Sequence, residues 1–172
     1  MFKRILFLVL VLLALVAMPV AAQGPTVARL ATVGVDDVTV HVGDTFTVPV
    51  WIHGVSNLYG YDVRLPHDQS ILQGVSVDHG GWLVPGFVIR QGFYEWAGPG
   101  CGGYCAWYAM TQLRPALPVS GSGVLINVVY RAVAPGVVTL QPWAQLSAAG
   151  GIPIPAATRG GTVTVVDAGH ER

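Results

Sequence analysis

The nine residues Thr45-Phe-Thr-Val-Pro-Val-Trp-Ile-His53 place Phe46, Val48, Val50 and Ile52 on one side of an extended chain, and Thr45, Thr47, Pro49 and Trp51 on the other. That is the period of a half-buried strand, and it excludes a helix over the same stretch. Just upstream, Val38-Thr-Val-His-Val42 repeats the pattern and ends at the turn pair Gly43-Asp44. Downstream, Gly60 to Leu65 sets Tyr61, Val63 and Leu65 against Asp62 and Arg64, a strand with one apolar and one polar face. Further runs of this kind are expected near 27–33 and over 72–77, 86–91, 106–113, 123–132, 136–142 and 161–166, about nine strands in all. Turn signals fall between them, among them Gly54-Val-Ser-Asn57, Pro66-His-Asp68, Gly98-Pro-Gly100, Ala134-Pro-Gly136 and Gly150-Gly151. With no helical period in the folded portion, the pattern predicts an all-β, two-sheet antiparallel sandwich. Asp68 to Leu72 is long enough for one turn of helix capped by Asp68.

Composition narrows the function classes. Only 10% of the 172 residues are charged while 52% are apolar, too hydrophobic for a disordered chain. Glycine (22) and proline (12) are abundant, and there is one lysine and two glutamates, a poor stock for exposed helices. Once Lys3 and Arg4 are set aside, seven arginines face nine acids, so no basic stripe is available for nucleic acid.

Lys3-Arg4, the apolar run Ile5 to Met18, and Val20-Ala21-Ala22 follow the order of a signal peptide, with cleavage expected after Ala22. Fourteen apolar residues fall short of the roughly 20 that cross a bilayer, so no membrane span is expected to remain. The expected product is secreted: one domain over 23–167 and a short polar tail at 168–172. In an oxidising compartment Cys101 and Cys105, separated by Gly-Gly-Tyr, are expected to pair as a disulfide at a hairpin tip.

Residues for catalysis are hard to assemble. His41, His53, His67, His79 and His170 share no metal-ligand spacing and read as surface or edge positions. No Gly-x-Ser-x-Gly is present, Ser120-Gly-Ser122-Gly reads as a turn into a strand, and Glu95 is the only mid-chain glutamate. Asp36, Asp37 and Asp44 match no calcium-loop template. The chain is therefore read as no enzyme, with no metal and no cofactor.

Several motifs in order resemble a cohesin domain. They are Val42-Gly-Asp-Thr45 with Val48 and Val50; Val55, Asn57-Leu58, Gly60, Asp62-Val63, Leu65, Asp68 and Ile71-Leu72; and later Gly121-Ser-Gly123-Val-Leu125, Tyr130-Arg-Ala132, Ala134-Pro-Gly136 and Gly161-Thr-Val-Thr-Val165. The resemblance spans roughly Arg29 to Val166. It implies a nine-stranded jelly roll and a dockerin-type protein partner, in extracellular polysaccharide-degrading or cell-surface assemblies. It also implies that strand Gly60–Leu65 faces the partner. Asp62 stands at a contacting position, Arg64 shares its face, and Gly60 occupies a position where the family carries a contacting asparagine.

One stretch is left over. Eight of the sixteen aromatic residues lie between Trp82 and Tyr108, around Gly98–Cys105. Phe87 and one of Trp107 and Tyr108 are expected in the core. Tyr94 and Trp96 point to one side of their strand. With Trp107 they define the alternative: a carbohydrate-binding module that stacks polysaccharide on exposed rings.

Overall fold

The computed structural model describes residues 30–167. The expected signal peptide, the start of the strand expected from Val27, His170 and the tail 168–172 lie outside the described residues. Within them the chain is all-β: β1 (Ala31–Gly34), β2 (Val38–His41), β3 (Thr45–Leu58), β4 (Gly60–Pro66), β5 (Leu72–His79), β6 (Phe87–Trp96), β7 (Gly103–Thr111), β8 (Val119–Ala132), β9 (Gly136–Leu140), β10 (Trp143–Ser147), β11 (Pro153–Ile154), β12 (Ala156–Arg159) and β13 (Gly161–Val166). Two five-stranded sheets, ordered β12-β1-β3-β8-β5 and β11-β10-β4-β7-β6, enclose the core, and a third sheet, β2-β13-β9, adds to it. The alternation read from the sequence decides which side faces inward. Val48, Val50 and Ile52 of β3, Tyr61, Val63 and Leu65 of β4, and Leu125, Ile126, Val128 and Tyr130 of β8 are buried in one cluster with Val138, Leu140, Val163 and Val165 of the third sheet.

Two ladders are parallel, β1 with β12 and β2 with β13, so the sandwich is not wholly antiparallel. In each case a strand near the start of the described chain runs alongside one near its end. Strands β10, β11 and β12 escape the sequence pattern. Trp143-Ala-Gln-Leu-Ser147 has no β-branched apolar residue, and Pro153 and Pro155 read as loop. Proline is tolerated there because β11 is an edge strand.

The turn expected at Gly54–Asn57 is instead part of β3, and Ser120-Gly-Ser122 is part of the facing strand β8. Gly54 and Asn57 take positive φ (69° and 58°) where the β3–β8 register shifts. These are bulges, which displace backbone donors from the ladder. Serines of β8 accept from them: Gly54 N–H donates to Ser122 Oγ at 3.3 Å and Asn57 N–H to Ser120 Oγ at 2.9 Å. Two apparent turns thus repair one another across a continuous ladder. At Asp68 the chain does form a capped turn. The Asp68 carboxylate accepts from the Ser70 N–H at 2.8 Å, and its carbonyl accepts from the Leu72 N–H at 2.9 Å.

A polar bond also joins the two large sheets. The buried Tyr61 hydroxyl on β4 donates to the Leu125 carbonyl on β8 at 2.7 Å. Burial, with the neighbouring Tyr108, pushes its ionisation above the ordinary phenol range. Replacing Leu65, fully buried between the sheets, with alanine is expected to lower unfolding free energy by about 2–5 kcal/mol. Tyr61→Phe should cost about 1 kcal/mol, because Leu125 keeps the Gly80 N–H as a donor. Urea denaturation of both variants measures the difference.

Candidate functional site: the outer face of the β4 sheet

The residues on the outer side of β4 meet their neighbours in straight rows. Arg64 lies opposite Trp107 of β7 and Trp143 of β10, and Asp62 lies opposite Ala109 and Gln145. The first row closes on itself. The Arg64 guanidinium sits 4.0 Å from the Trp107 ring centre and 4.3 Å from that of Trp143, a cation held between two indoles. Its remaining donors grip Asp62, Nη2 to Oδ2 at 2.9 Å and Nε to Oδ1 at 3.2 Å, and Nη1 donates to the Pro99 carbonyl. Little of the Arg64 side chain reaches solvent, and Asp62 is about a quarter exposed.

The segment between β6 and β7 is folded back over this row and is not a free tip. Pro99 accepts from Arg64, and Gly100 lies so close to Trp143 that an added Cβ would stand 2.7 Å from the ring. Cys101 is disulfide-bonded to Cys105, with Cα atoms 5.2 Å apart. Gly100 (φ 82°) and Gly102 (φ 62°) supply the left-handed backbone that so short a loop needs.

Beyond Asp62 the face opens into a groove of about 600 Å³. Ala109, Asp62 and Gln145 line its floor, Ile89 and Arg90 of β6 one wall, and the segment 153–156 the other. Of the residues singled out from the sequence, Asp62 and Trp107 line this groove. Gly60 is buried at its end, where an added Cβ would press on the Met110 carbonyl at 3.0 Å and Ser147 Oγ at 3.1 Å. Arg64 stands behind Asp62 and holds its carboxylate in place. Ile89, Arg90, Ala109 and Gln145 were missed by the sequence reading. Only the register, which no local pattern prints, brings β6, β7 and β10 beside Asp62.

The aromatic stretch divides between the two sides of its sheet. Phe93 turns inward, against His67 (5.5 Å) and Tyr130 (6.0 Å). Tyr94, Trp96 and Trp107 share the outer side, but their planes do not align. Tyr94 meets Trp107 at 76° and Trp96 meets it at 51°. Trp96 is the most open of the three, 46% exposed. Tyr108 is core, as one of the pair was expected to be. Phe87 is not: it is 60% exposed, because β6 is the edge strand and its first residues have a neighbour on one side only.

His67 also departs from a surface position. It packs edge-on against Phe93, Tyr104 and Tyr130, with Nδ1 at 3.3 Å from both the Leu65 carbonyl and the Tyr130 hydroxyl. Burial pulls its pKa below 6.5, against the opposing pull of the Leu65 carbonyl and Asp68. Among the described residues no group of three metal-ligating side chains converges.

The comparisons with known proteins agree with this architecture. The cohesin domain family model matches residues 31–86, from β1 to the residue before β6. No curated protein matches the chain. Among solved structures, a non-cellulosomal cohesin from Archaeoglobus fulgidus is 18% identical, with 80% of this chain and 92% of that one covered, at a TM-score of 0.62. The seventh ScaB type I cohesin from Pseudobacteroides cellulosolvens is 16% identical, covers 83% and 96%, and has a TM-score of 0.63. The sixth cohesin of scaffoldin B from Acetivibrio cellulolyticus, solved in complex with a Cel5 dockerin mutant, is 16% identical, covers 80% and 100%, and scores 0.64. The sandwich has the cohesin fold, and over 31–86 it carries the cohesin domain's sequence pattern. Residues 87–167, which include both β6 and the folded-back loop, lie beyond that matched span.

Two outcomes are expected. Arg64→Ala removes the cation from between its indoles and leaves Asp62 unpaired, with a loss of about 2–4 kcal/mol in urea and a red-shifted tryptophan emission. Arg64→Lys should recover little of it, since an ammonium lacks the planar fork. For His67 the sign follows from its depressed pKa. The unfolded chain takes up the proton first, so the histidine's contribution is complete above pH 6.5 and is lost as the pH falls from 6.5 towards the folded value. Urea midpoints at pH 7.5 and 5.0 should therefore separate more for the parent protein than for His67→Phe.

Proposed function

We propose that this chain is a non-catalytic protein-docking module whose partner, of dockerin type, seats on the outer face of the β11-β10-β4-β7-β6 sheet. The observation that carries this is the groove beside Asp62. Asp62 lies on β4, within the span that matches the cohesin domain, and the groove beside it is lined by residues of β6 on one side and of 153–156 on the other. A groove that sets small and apolar side chains beside a few fixed polar groups suits burial of a partner's side chains. The cohesin from Acetivibrio cellulolyticus that shares this fold was solved with a dockerin bound, which makes a dockerin the first partner to try.

Sugar stacking would draw on aromatic faces set side by side. Tyr94, Trp96 and Trp107 are instead steeply inclined to one another, and Trp107 is engaged with Arg64. Docking of a protein therefore has the better support. We also propose that the module works outside the cytoplasm, exported by residues 1–22. The Cys101–Cys105 pair suits an oxidising compartment.

Surface plasmon resonance against a panel of calcium-loaded dockerins tests the assignment. At least one is expected to bind, and Gln145→Trp, which fills the groove from an exposed floor position, should weaken it by about tenfold or more. Val137→Asp, on the third sheet, should leave it unchanged. Binding that ignores Gln145→Trp would place the partner elsewhere.

A further inference from the structure

The acid that the sequence offers to a partner is already neutralised within the fold. Both Asp62 oxygens accept from Arg64, which is itself stacked between two tryptophans and largely covered. The charge left uncompensated in the groove has the opposite sign. Arg90, on the β6 wall, is exposed, and its Nη1 donates to the carbonyl of the adjacent Ile89 at 3.0 Å. It makes no ion pair: those among the described residues are Arg64–Asp62 and His41–Asp44. Its guanidinium centre lies 5.6 Å from the Trp107 ring, which limits where the head can swing. Around it the lining offers small or apolar side chains at Ile89, Ala109, Pro153 and Pro155.

The floor also restricts the kind of segment that fits. Strands β7, β4 and β10 are each already paired on both sides, so the floor has no free backbone groups to hold an added strand. Three strands span about 10 Å from first to last, close to the diameter of a helix with its side chains. We infer that the partner helix seated in this groove is selected by a carboxylate that reaches Arg90, with its small or apolar side chains laid on Ala109 and Pro155. A carboxylate can take two donors of the guanidinium at once, which an uncharged side chain does less well. This rests on the docking function proposed above, and it moves the charge selectivity of the site from Asp62 to Arg90.

A phage-displayed dockerin library, randomised on its exposed helical faces and selected on the protein, provides the test. Only clones lost on Gln145→Trp are scored, so that groove binders are counted alone. Asp or Glu should be enriched about tenfold at one helical position, a margin worth about 1.4 kcal/mol. Selection on Arg90→Glu should replace it with Lys or Arg, and on Arg90→Gln should abolish the preference. Selection on Asp62→Asn should retain the acid. Melting curves confirm that each variant is folded, and Arg90→Gln carries the comparison if Arg90→Glu is not. Groove binders without an acidic preference, or with one that persists in the Arg90 variants, would overturn the role of Arg90 and leave docking intact. A library that yields no clone sensitive to Gln145→Trp would overturn docking in the groove, and the role of Arg90 with it.

Discussion

The alternation of β4 ties the core of this protein to its outer surface. Tyr61, Val63 and Leu65 enter the core from one side of the strand while Asp62 and Arg64 stand on the other. A slip of one residue would put a carboxylate and a guanidinium between the sheets, at a cost no surface contact could recover. The register is therefore held by the apolar face. Because β4 pairs with β7 and β10 on its two sides, that register also decides which side chains stand beside Asp62 and Arg64.

From this follows a division of the outer face into two parts of different character. At one end Arg64, Trp107, Trp143 and the loop closed by Cys101 and Cys105 form a compact cap in which each polar group of the arginine has a partner. At the other the floor drops to Ala109 and Gln145 and the walls rise at Ile89–Arg90 and at Pro153–Pro155. The cap fixes the orientation of Asp62, since a guanidinium between two rings has little freedom to turn. It also leaves the groove as the open part of the face. The two regions meet at Arg90 and Trp107, which belong to the lining of the groove and border the cap.

The turn residues of the sequence did more than end strands. Gly54 and Asn57 bend β3 without interrupting it, and Ser120 and Ser122 supply the acceptors that the bulged backbone loses. Read one strand at a time, the two segments are turns. Opposed to one another across a ladder, they lengthen β3 and β8 to fourteen residues each. Local propensity is here overruled by pairing, as it is for β10, which pairs with β4, and for β11, which adds to β10 as the edge strand.

The sequence by itself determined the all-β class, the inward faces of β3 and β4, the capped turn at Asp68 and the resemblance to cohesins. Each of these is written in residues a few positions apart, where the period of two and the chemistry of turns act directly. The tertiary structure decided the rest: the burial of His67, the exposure of Phe87, the folding of the Gly98–Cys105 loop onto Arg64, and the pairing that consumes the charge of Asp62 and leaves that of Arg90. These depend on which strands are neighbours and in what register, and that is set by packing across the whole sandwich.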